Sequence, residues 1–177
     1  VIFPTVEGMA SEGHPYTGFL YAGLMIDETG TPKVIEYNCR FGDPETQPMM
    51  LRLQSDLVEL IEAANRVELD KTTIEFDSRA AVGVVLAAKG YPGDYPKGDA
   101  ISGLKVNYPA DEKVFHAGTK QDGENVVTAG GRVLCATALG NTVTESQQRA
   151  YELVKQISWE GMEYRTDIAY RAIAREQ

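Results

Sequence analysis

Two oxygen-bearing side chains, two residues apart, offer the clearest chemistry in this sequence. Glu36 and Asn38 lie in residues 33–38, a run that is typical of a β-strand. On a strand, residues two apart point to the same face and lie about 7 Å from each other. Carboxylate and amide oxygens are the hard ligands that Mg2+ prefers, and Mg2+ completes its shell with water and substrate phosphates. The pair therefore predicts a divalent-metal site that leaves room for a nucleotide.

Arg40 extends this pattern by a further two residues. If the strand continues past Asn38, the guanidinium shares the face of Glu36 and can hold phosphate oxygens bidentately. Two alternatives stay open: a solvated strand edge for the Glu36 and Asn38 pair, and a simple ion pair of Arg40 with Glu36 or Asp43. The two β-branched residues before Glu36 favour the metal hypothesis because they indicate an interior strand, where an unpartnered carboxylate is costly.

A β-hairpin is the element that must position this pair. Residues 18–27 are apolar and aromatic, which predicts a strand covered on both sides. Residues 28–32 form a turn in which Gly30 is free to take a positive φ, and residues 33–38 return as the second strand. Residues 1–4 are interpreted as the end of a strand, as if the chain began within a fold.

Helical periodicity predicts two helices. Residues 56–66 carry an apolar stripe and begin at Asp56, which together with Glu59 resembles a capping box with Asp56 as the N-cap. Residues 144–157 carry a second stripe, and Thr144 with Gln147 has the spacing of a capping box. Each helix is therefore expected to bury one face.

The second half of the chain has a different pattern. An irregular polar stretch at 67–78 predicts a domain boundary, so we expect two domains, 1–70 and 78–177. The second is expected to be a small, mostly antiparallel α+β unit with one long helix. Its strands are predicted at 80–88, 114–119, 126–128 and 132–139.

Composition excludes several classes of function. The chain has 177 residues and a formal net charge of -9, which argues against non-specific nucleic-acid binding. No apolar run approaches the roughly 18 residues that a membrane helix needs. Cys39 and Cys135 lack the spacing of a zinc site, and free thiols in a reducing cytoplasm are the expectation.

The segment around the predicted metal pair resembles a known family. Residues 34–47 read ValIleGluTyrAsnCysArgPheGlyAspProGluThrGln, which is similar to the signature segment of glycinamide ribonucleotide synthetases. The resemblance runs through the whole chain in order. The other segments that carry it are 3–9, 16–25, 55–59, 90–95, 115–119, 130–134 and 165–168.

The resemblance implies both a fold and a reaction. The expected fold is α+β: the C-terminal part of an ATP-grasp domain, an antiparallel sheet with helices, followed by a small β-rich C-terminal domain. The family joins glycine to 5-phosphoribosylamine while ATP becomes ADP and phosphate. Glycine is phosphorylated first, and the ribosylamine attacks the acyl phosphate. Mg2+, or Mn2+, and ATP are the implied cofactor and co-substrate.

The resemblance also implies residue roles. Glu36 and Asn38 match the metal ligands of the signature, and Arg40 would lie beside the transferred phosphate. Leu24 is a candidate for contact with the adenine, although buried core is the alternative, and Tyr21 is interpreted as a packing aromatic. The candidates for the glycine or ribosylamine pocket are Gly42, Asp43 and Pro44.

The resemblance implies partners as well. An N-terminal portion of the same enzyme, with the other half of the ATP-grasp domain, would precede Val1, so we expect this chain to be inactive alone. The other expected partners are ATP, glycine and 5-phosphoribosylamine. Two alternatives stay open: another ATP-grasp carboxylate–amine ligase, which would share the Glu-x-Asn pair but not the ArgPheGlyAspProGlu continuation, and a non-catalytic binding module.

Overall fold

The structure is a computed structural model that describes residues 1–105 and 107–176, and the chain divides into two compact units. The first unit comprises Val1–Thr46 and Leu53–Phe76; the second comprises Gln47–Arg52 and Asp77–Gln177. In the part of the chain that is described, no helix combines the length and the apolar character required to cross a bilayer. The expected mixture of helices and antiparallel sheet is confirmed.

The first unit is built around the expected hairpin. Strand β1, Tyr21–Ile26, pairs antiparallel with strand β2, Pro32–Asn38. The turn between them is held by Asp27, whose Oδ1 accepts the backbone N–H of Thr29 and of Thr31, each at 3.0 Å. An aspartate that bonds the backbone two residues on is a common turn former, so residues 27–31 close the hairpin locally.

The hairpin contains one irregularity. Gly23 pairs with Glu36 and Leu24 pairs with Val34, so Ile35 is left without a direct partner as a β-bulge. A bulge interrupts the alternation of side chains on the bulged strand. The pairing from Glu36 to Asn38 lies on the regular side of this interruption.

The beginning of the chain forms a helix, so the prediction of a strand end at residues 1–4 was wrong. Helix α1 is Ile2–Ser11. Pro4 is tolerated there because the N–H groups of a first helical turn need no intrahelical partner. Thr5 of α1 lies 2.6 Å, hydroxyl to hydroxyl, from Tyr37 of β2, which ties the helix to the hairpin.

The hairpin is more exposed than its apolar sequence indicated. Met25 and Ile26 are 58% and 55% exposed, and Val34 and Ile35 are 43% and 65% exposed. The expectations of a strand covered on both sides and of an interior β2 were therefore wrong for this chain. An apolar sequence favours burial of a strand, but the burial itself depends on other elements that pack against it.

Three short helical elements follow strand β2 in the chain. They are helix α2, Thr46–Arg52, helix α3, Leu57–Asn65, and a 3-10 turn, Leu69–Lys71. The predicted N-cap of α3 is confirmed, because Asp56 Oδ1 accepts the backbone N–H groups of Val58, at 2.7 Å, and Glu59, at 3.3 Å.

The second unit is a three-stranded antiparallel sheet in the order β3–β7–β4, with a separate hairpin β5–β6. Its elements are β3 Ala80–Ala87, β4 Glu112–His116, β5 Thr119–Asp122, β6 Asn125–Thr128, β7 Arg132–Gly140, α4 Val143–Val154 and α5 Tyr170–Glu176. Helix α4 packs on the sheet, and the fully buried side chains between them include Leu86, Leu134 and Leu153. This apolar layer is the main core of the unit.

Helix α4 begins at Val143, one residue earlier than expected, and ends at Val154 rather than at residue 157. Its N-cap is Thr142, whose Oγ1 accepts the N–H of Glu145 at 3.0 Å, and Glu145 in turn accepts the N–H of Asn141 at 2.7 Å. Gln147 instead donates to the carbonyl oxygen of Ile168 at 2.7 Å. The predicted Thr144–Gln147 box was therefore wrong, because two overlapping sets of residues had the capping spacing and only packing chose between them.

Candidate active site

The proposed metal pair lies on one face of strand β2. Glu36 pairs with Gly23, Tyr37 with Ala22 and Asn38 with Tyr21, in unbroken register. Strand alternation therefore directs Glu36 and Asn38 to the same side. Glu36 packs over Gly23, since a Cβ added at Gly23 would lie 3.1 Å from its Cγ. The face opposite is the one on which Tyr37 bonds to helix α1.

The donor set of this face fits a divalent cation in part. Asn38 is partly buried, and its Nδ2 is buried without a hydrogen-bond partner, which is uncommon for a buried polar atom. A half-turn of that amide would bring its oxygen, a suitable metal ligand, to the same place. Glu36 supplies an exposed carboxylate beside it. A cation held by Glu36 and Asn38 would need further oxygen ligands, and Mg2+ commonly takes these from water and from substrate phosphates.

A self-sufficient metal cage is absent from the described residues, 1–105 and 107–176. No group of three or more His, Cys, Asp or Glu side chains within them could hold an ion. A site with Glu36 and Asn38 would therefore use these two ligands from this chain. Mg2+ sites that bind nucleotides commonly have only one or two protein carboxylates, so the arrangement is consistent with that habit.

Arg40 does not continue the strand. Strand β2 ends at Asn38, and the chain bends at Cys39 and Arg40, so the expectation that Arg40 extends the same face was wrong. Its exposed guanidinium donates to the carbonyl oxygen of Phe41 at 2.9 Å.

The three candidate substrate residues lie in a tight turn before helix α2. Gly42 is buried, Pro44 is partly buried and Asp43 is exposed. The Asp43–Pro44 peptide bond is cis. Thr46 closes the turn, because its backbone N–H, at 3.1 Å, and its hydroxyl both donate to the carbonyl oxygen of Gly42. The turn, which we call the 42–46 turn, presents Asp43 to solvent.

Tyr21 and Glu45 are members of this constellation that the sequence analysis did not assign to it. Tyr21 Oη donates to Glu45 Oε1 at 3.2 Å. The pKa of the Tyr21 phenol is raised, first by the negative charge of Glu45 and then by burial, the hydrogen bond and the charge of Glu36, against the opposing charge of Arg40. The available signal was that Tyr21, like Gly23, falls on the face of Glu36 by strand alternation.

Leu24 occupies the other face. It follows Gly23 on β1, so alternation directs its side chain away from Glu36, and it is 40% exposed. Elsewhere in the first unit, the rings of Phe19 and Phe41 pack with their centroids 4.1 Å apart.

The two histidines are not part of this constellation. His14 is exposed in the loop after helix α1. His116, at the end of β4 in the second unit, is exposed as well, and its Nδ1 lies 3.0 Å from the hydroxyl of Thr119.

Comparison with solved structures defines the class of fold first. The chain is similar to the biotin carboxylase domain of 2-oxoglutarate carboxylase from Hydrogenobacter thermophilus, with 16% identity and a TM-score of 0.56 over 80% of this chain and 31% of that one. At this identity the likeness shows the fold alone. A family model described as the ATP-grasp (A) domain of phosphoribosylglycinamide synthetase matches residues 1–46, so the first unit is ATP-grasp in type.

More specific matches give the family. The model of the phosphoribosylglycinamide synthetase C domain matches residues 81–171, more than half of the chain. The chain belongs to the phosphoribosylglycinamide synthetase family. It is 71% identical, over its whole length, to phosphoribosylamine–glycine ligase of Vibrio cholerae, and it spans 41% of that protein. It is 38% identical to the crystal structure of the Thermotoga maritima ligase, with a TM-score of 0.77 over 91% of this chain and 39% of that one.

Proposed function

We propose that this chain is the part of a phosphoribosylamine–glycine ligase that carries the metal pair and the C-terminal domain. The complete enzyme would join glycine to 5-phosphoribosylamine, give glycinamide ribonucleotide for purine synthesis and convert ATP to ADP and phosphate. The observation that carries the proposal is the shared face of Glu36 and Asn38, within a segment that matches the family's ATP-grasp domain. The chain spans less than half of its curated relatives, so the activity is assigned to the complete polypeptide.

Glu36 and Asn38 would hold Mg2+ or Mn2+ by one carboxylate and one amide oxygen. When bound, the cation supplies positive charge to the ATP phosphates during phosphoryl transfer. The contribution of the chain itself is orientation, because both side chains rise from one rigid strand pair. The two side chains share a face because residues 36–38 of β2 pair regularly with residues 21–23 of β1.

Arg40 would hold the transferred phosphoryl group. Its guanidinium is exposed and already beside the turn, and the bond to Phe41 can be exchanged for phosphate oxygens, which bind arginine more strongly than a neutral carbonyl does. Glycine phosphorylation develops negative charge, so a fixed cation next to the metal pair suits that step.

The 42–46 turn would form the pocket for the small substrates. Asp43 presents a carboxylate to solvent that can accept the N–H groups of glycine or of the ribosylamine, and the backbone around Gly42 and Pro44 would shape the pocket. Leu24 is proposed to contact adenine. The side chain of Leu24 lies on the face of the hairpin opposite Glu36, so the adenine would contact that opposite face.

The compartment proposed for this reaction is the cytoplasm. ATP and magnesium are available there, and neither Cys39 nor Cys135 forms a disulfide, in keeping with a reducing environment. The other proposed partners are the small-molecule substrates and the remainder of the same enzyme.

The test measures ADP formation by the complete natural polypeptide that contains residues 1–177. The expected result is turnover that requires glycine, 5-phosphoribosylamine and Mg2+ together, and no turnover by residues 1–177 alone. Reactions in which alanine or bicarbonate replaces glycine are the control that identifies the carboxylate substrate. ADP formation that needs bicarbonate, or another amine in place of the ribosylamine, would assign the chain to a different ATP-grasp ligase; full turnover by the isolated chain would refute its partial role.

A further inference from the structure

Two side chains of the first unit converge at Gly42. The ring of Tyr21 and the carboxylate of Glu45 both lie so close to its Cα that a side chain there would displace them: a Cβ would contact Glu45 Oε2 and would lie 2.7 Å from Tyr21 Cε2. Tyr21 Oη donates to Glu45 Oε1 at 3.2 Å, so the phenol and the carboxylate enclose the glycine between them. Tyr21 comes from strand β1, whereas Gly42 and Glu45 belong to the 42–46 turn.

This contact links the two halves of the proposed site. On its strand, Tyr21 pairs directly with Asn38, and it shares its face with Gly23 and Glu36. Through its hydroxyl and its ring it touches the 42–46 turn, which Thr46 closes from within. The chain between Asn38 and Gly42 is irregular, so covalent connection alone does not fix the turn relative to the strand. The Tyr21 contact supplies a second attachment.

We propose that Tyr21 and Glu45 form a positioning pair that holds the 42–46 turn against the strand carrying Glu36 and Asn38. The pair thereby sets where Asp43 and the backbone around Gly42 meet the small substrates. This inference rests on the proposed function for its substrates. Neither residue needs to touch substrate or metal in this role; the phenol donates to the carboxylate, and the carboxylate is kept over the glycine.

The first variant is Tyr21→Phe, in the complete natural polypeptide. It keeps the ring over Gly42 and removes only the hydroxyl bond to a charged acceptor. We expect the KM for glycine or for the ribosylamine to rise about three- to tenfold, because an ordinary intramolecular hydrogen bond makes a net contribution of that size. The Mg2+ concentration for half-maximal activity and the thermal midpoint are expected to stay within about twofold and a few degrees of wild type.

Tyr37→Phe is the matched control. Tyr37 lies on the neighbouring strand and faces the other way, and its hydroxyl bonds to Thr5 of helix α1. The same chemical change there removes a hydroxyl contact of 2.6 Å, shorter than the 3.2 Å of Tyr21, without touching the 42–46 turn. A merely structural role for tyrosine hydroxyls on this hairpin predicts equal effects of the two variants on KM, which would overturn the proposal.

A double-mutant cycle with Glu45 gives the second measurement. Glu45→Ala should raise the same KM as Tyr21→Phe, and the double variant should be no worse than either single one, because both remove one interaction. Glu45→Gln keeps an acceptor oxygen and should recover most of the loss. Additive effects, or a Gln variant as impaired as the Ala variant, would show that the two residues act separately.

Hydrogen exchange separates this inference from the proposed function. The backbone N–H of Thr46 is bonded to Gly42, so its exchange reports on the 42–46 turn without any substrate. The pair predicts faster exchange in Tyr21→Phe and unchanged exchange in Tyr37→Phe. If the wild type shows no glycine-dependent turnover, the proposed function fails, and the exchange rates still decide on the pair; unchanged exchange in Tyr21→Phe contradicts the pair whatever the reaction is.

Discussion

Gly23 on β1 lies directly opposite Glu36 on β2, and the absence of a side chain at position 23 leaves the space that the glutamate occupies. A Cβ there would lie 3.1 Å from Cγ of Glu36, with the backbone of residue 36 also within 4 Å. That distance is below ordinary van der Waals contact, so a larger residue must displace the glutamate. The relationship couples the choice of residue on one strand to the direction of the carboxylate on the other.

Gly23→Val is therefore expected to separate metal affinity from hairpin stability. Valine suits a strand, so the unfolding midpoint should be unchanged or raised, while displacement of Glu36 should weaken Mn2+ binding roughly fivefold. Electron paramagnetic resonance titration of Mn2+ into the complete polypeptide measures the affinity. Met25→Val, farther along β1 and 58% exposed, is the control and should leave affinity unchanged. Wild-type affinity in Gly23→Val would remove Glu36 from the metal site.

Glu36→Gln tests the carboxylate itself. It keeps the shape of the side chain and removes the charge, so we expect Mg2+-dependent nucleotide binding to weaken by at least roughly 10- to 100-fold. Calorimetric titration of ATP with and without Mg2+ in the complete polypeptide measures this. Glu28→Gln makes the same charge change at an exposed position of the hairpin turn and should have no such effect. Equal losses in the two variants would indicate a general charge effect rather than a ligand.

Val67→Gly is expected to stabilise the end of helix α3. Val67 has φ 57°, a left-handed conformation that is costly for a β-branched residue, and it is 80% exposed, so little packing is lost. Its N–H bonds to Ala64 O at 3.0 Å and the N–H of Glu68 bonds to Ala63 O at 2.8 Å, which is the Schellman pattern that favours glycine at this position. We expect about 1 kcal/mol of added stability by urea unfolding.

Val58→Gly is the control for Val67→Gly, at a position of the same helix where the backbone is right-handed. Val58 is 62% exposed and lies in the first turn of α3, where right-handed φ gives glycine no advantage. It should destabilise by up to about 1 kcal/mol. If both glycine variants shift stability in the same direction, backbone conformation is not the cause.

Asp77 predicts a pH dependence for the second unit. Its carboxylate accepts from Arg79 Nε at 3.0 Å and from Nη2 at 2.7 Å. These bonds, with the backbone N–H of Arg79, lower the pKa of Asp77 from 3.8 to about 2. A carboxyl whose pKa is lower in the folded state stabilises the fold above its unfolded pKa, and that contribution is lost as pH falls through the folded pKa. The window is therefore from about pH 4 down to about pH 2.

Asp77→Asn should consequently be less stable than wild type near neutral pH, and the difference should shrink across that window. Urea unfolding at several pH values measures it. Asp122→Asn, at an exposed position of the β5–β6 hairpin, is the control, with a difference that stays flat. Asp111, whose pKa is also lowered by a hydrogen bond from Arg79, remains in both variants. A constant deficit for Asp77→Asn from neutral to acid pH would contradict the proposed linkage.

Features formed by residues close together in the chain followed from sequence. Gly30 takes its expected positive φ in the hairpin turn, and Asp56 caps helix α3, because each feature depends on residues only a few positions apart. The role of Asp27 in that turn was not predicted, since the residue was assigned to the first strand. Where two local solutions competed, the sequence did not decide: Thr142 and Thr144 both have cap-forming spacing, and the packed helix uses Thr142. The start of the chain was also mistaken for a strand. Its helix is held by a contact with Tyr37, which is distant in sequence.

The spacing of Glu36 and Asn38 was enough to place two oxygen ligands on one face, because the two-residue period of a strand is a local property of the backbone. Only the tertiary structure decided that strand β2 ends at Asn38 and that Tyr21 meets Glu45 across 24 positions of sequence. Those outcomes depend on where the chain folds back on itself, and contacts between distant residues leave no periodicity that a single sequence displays.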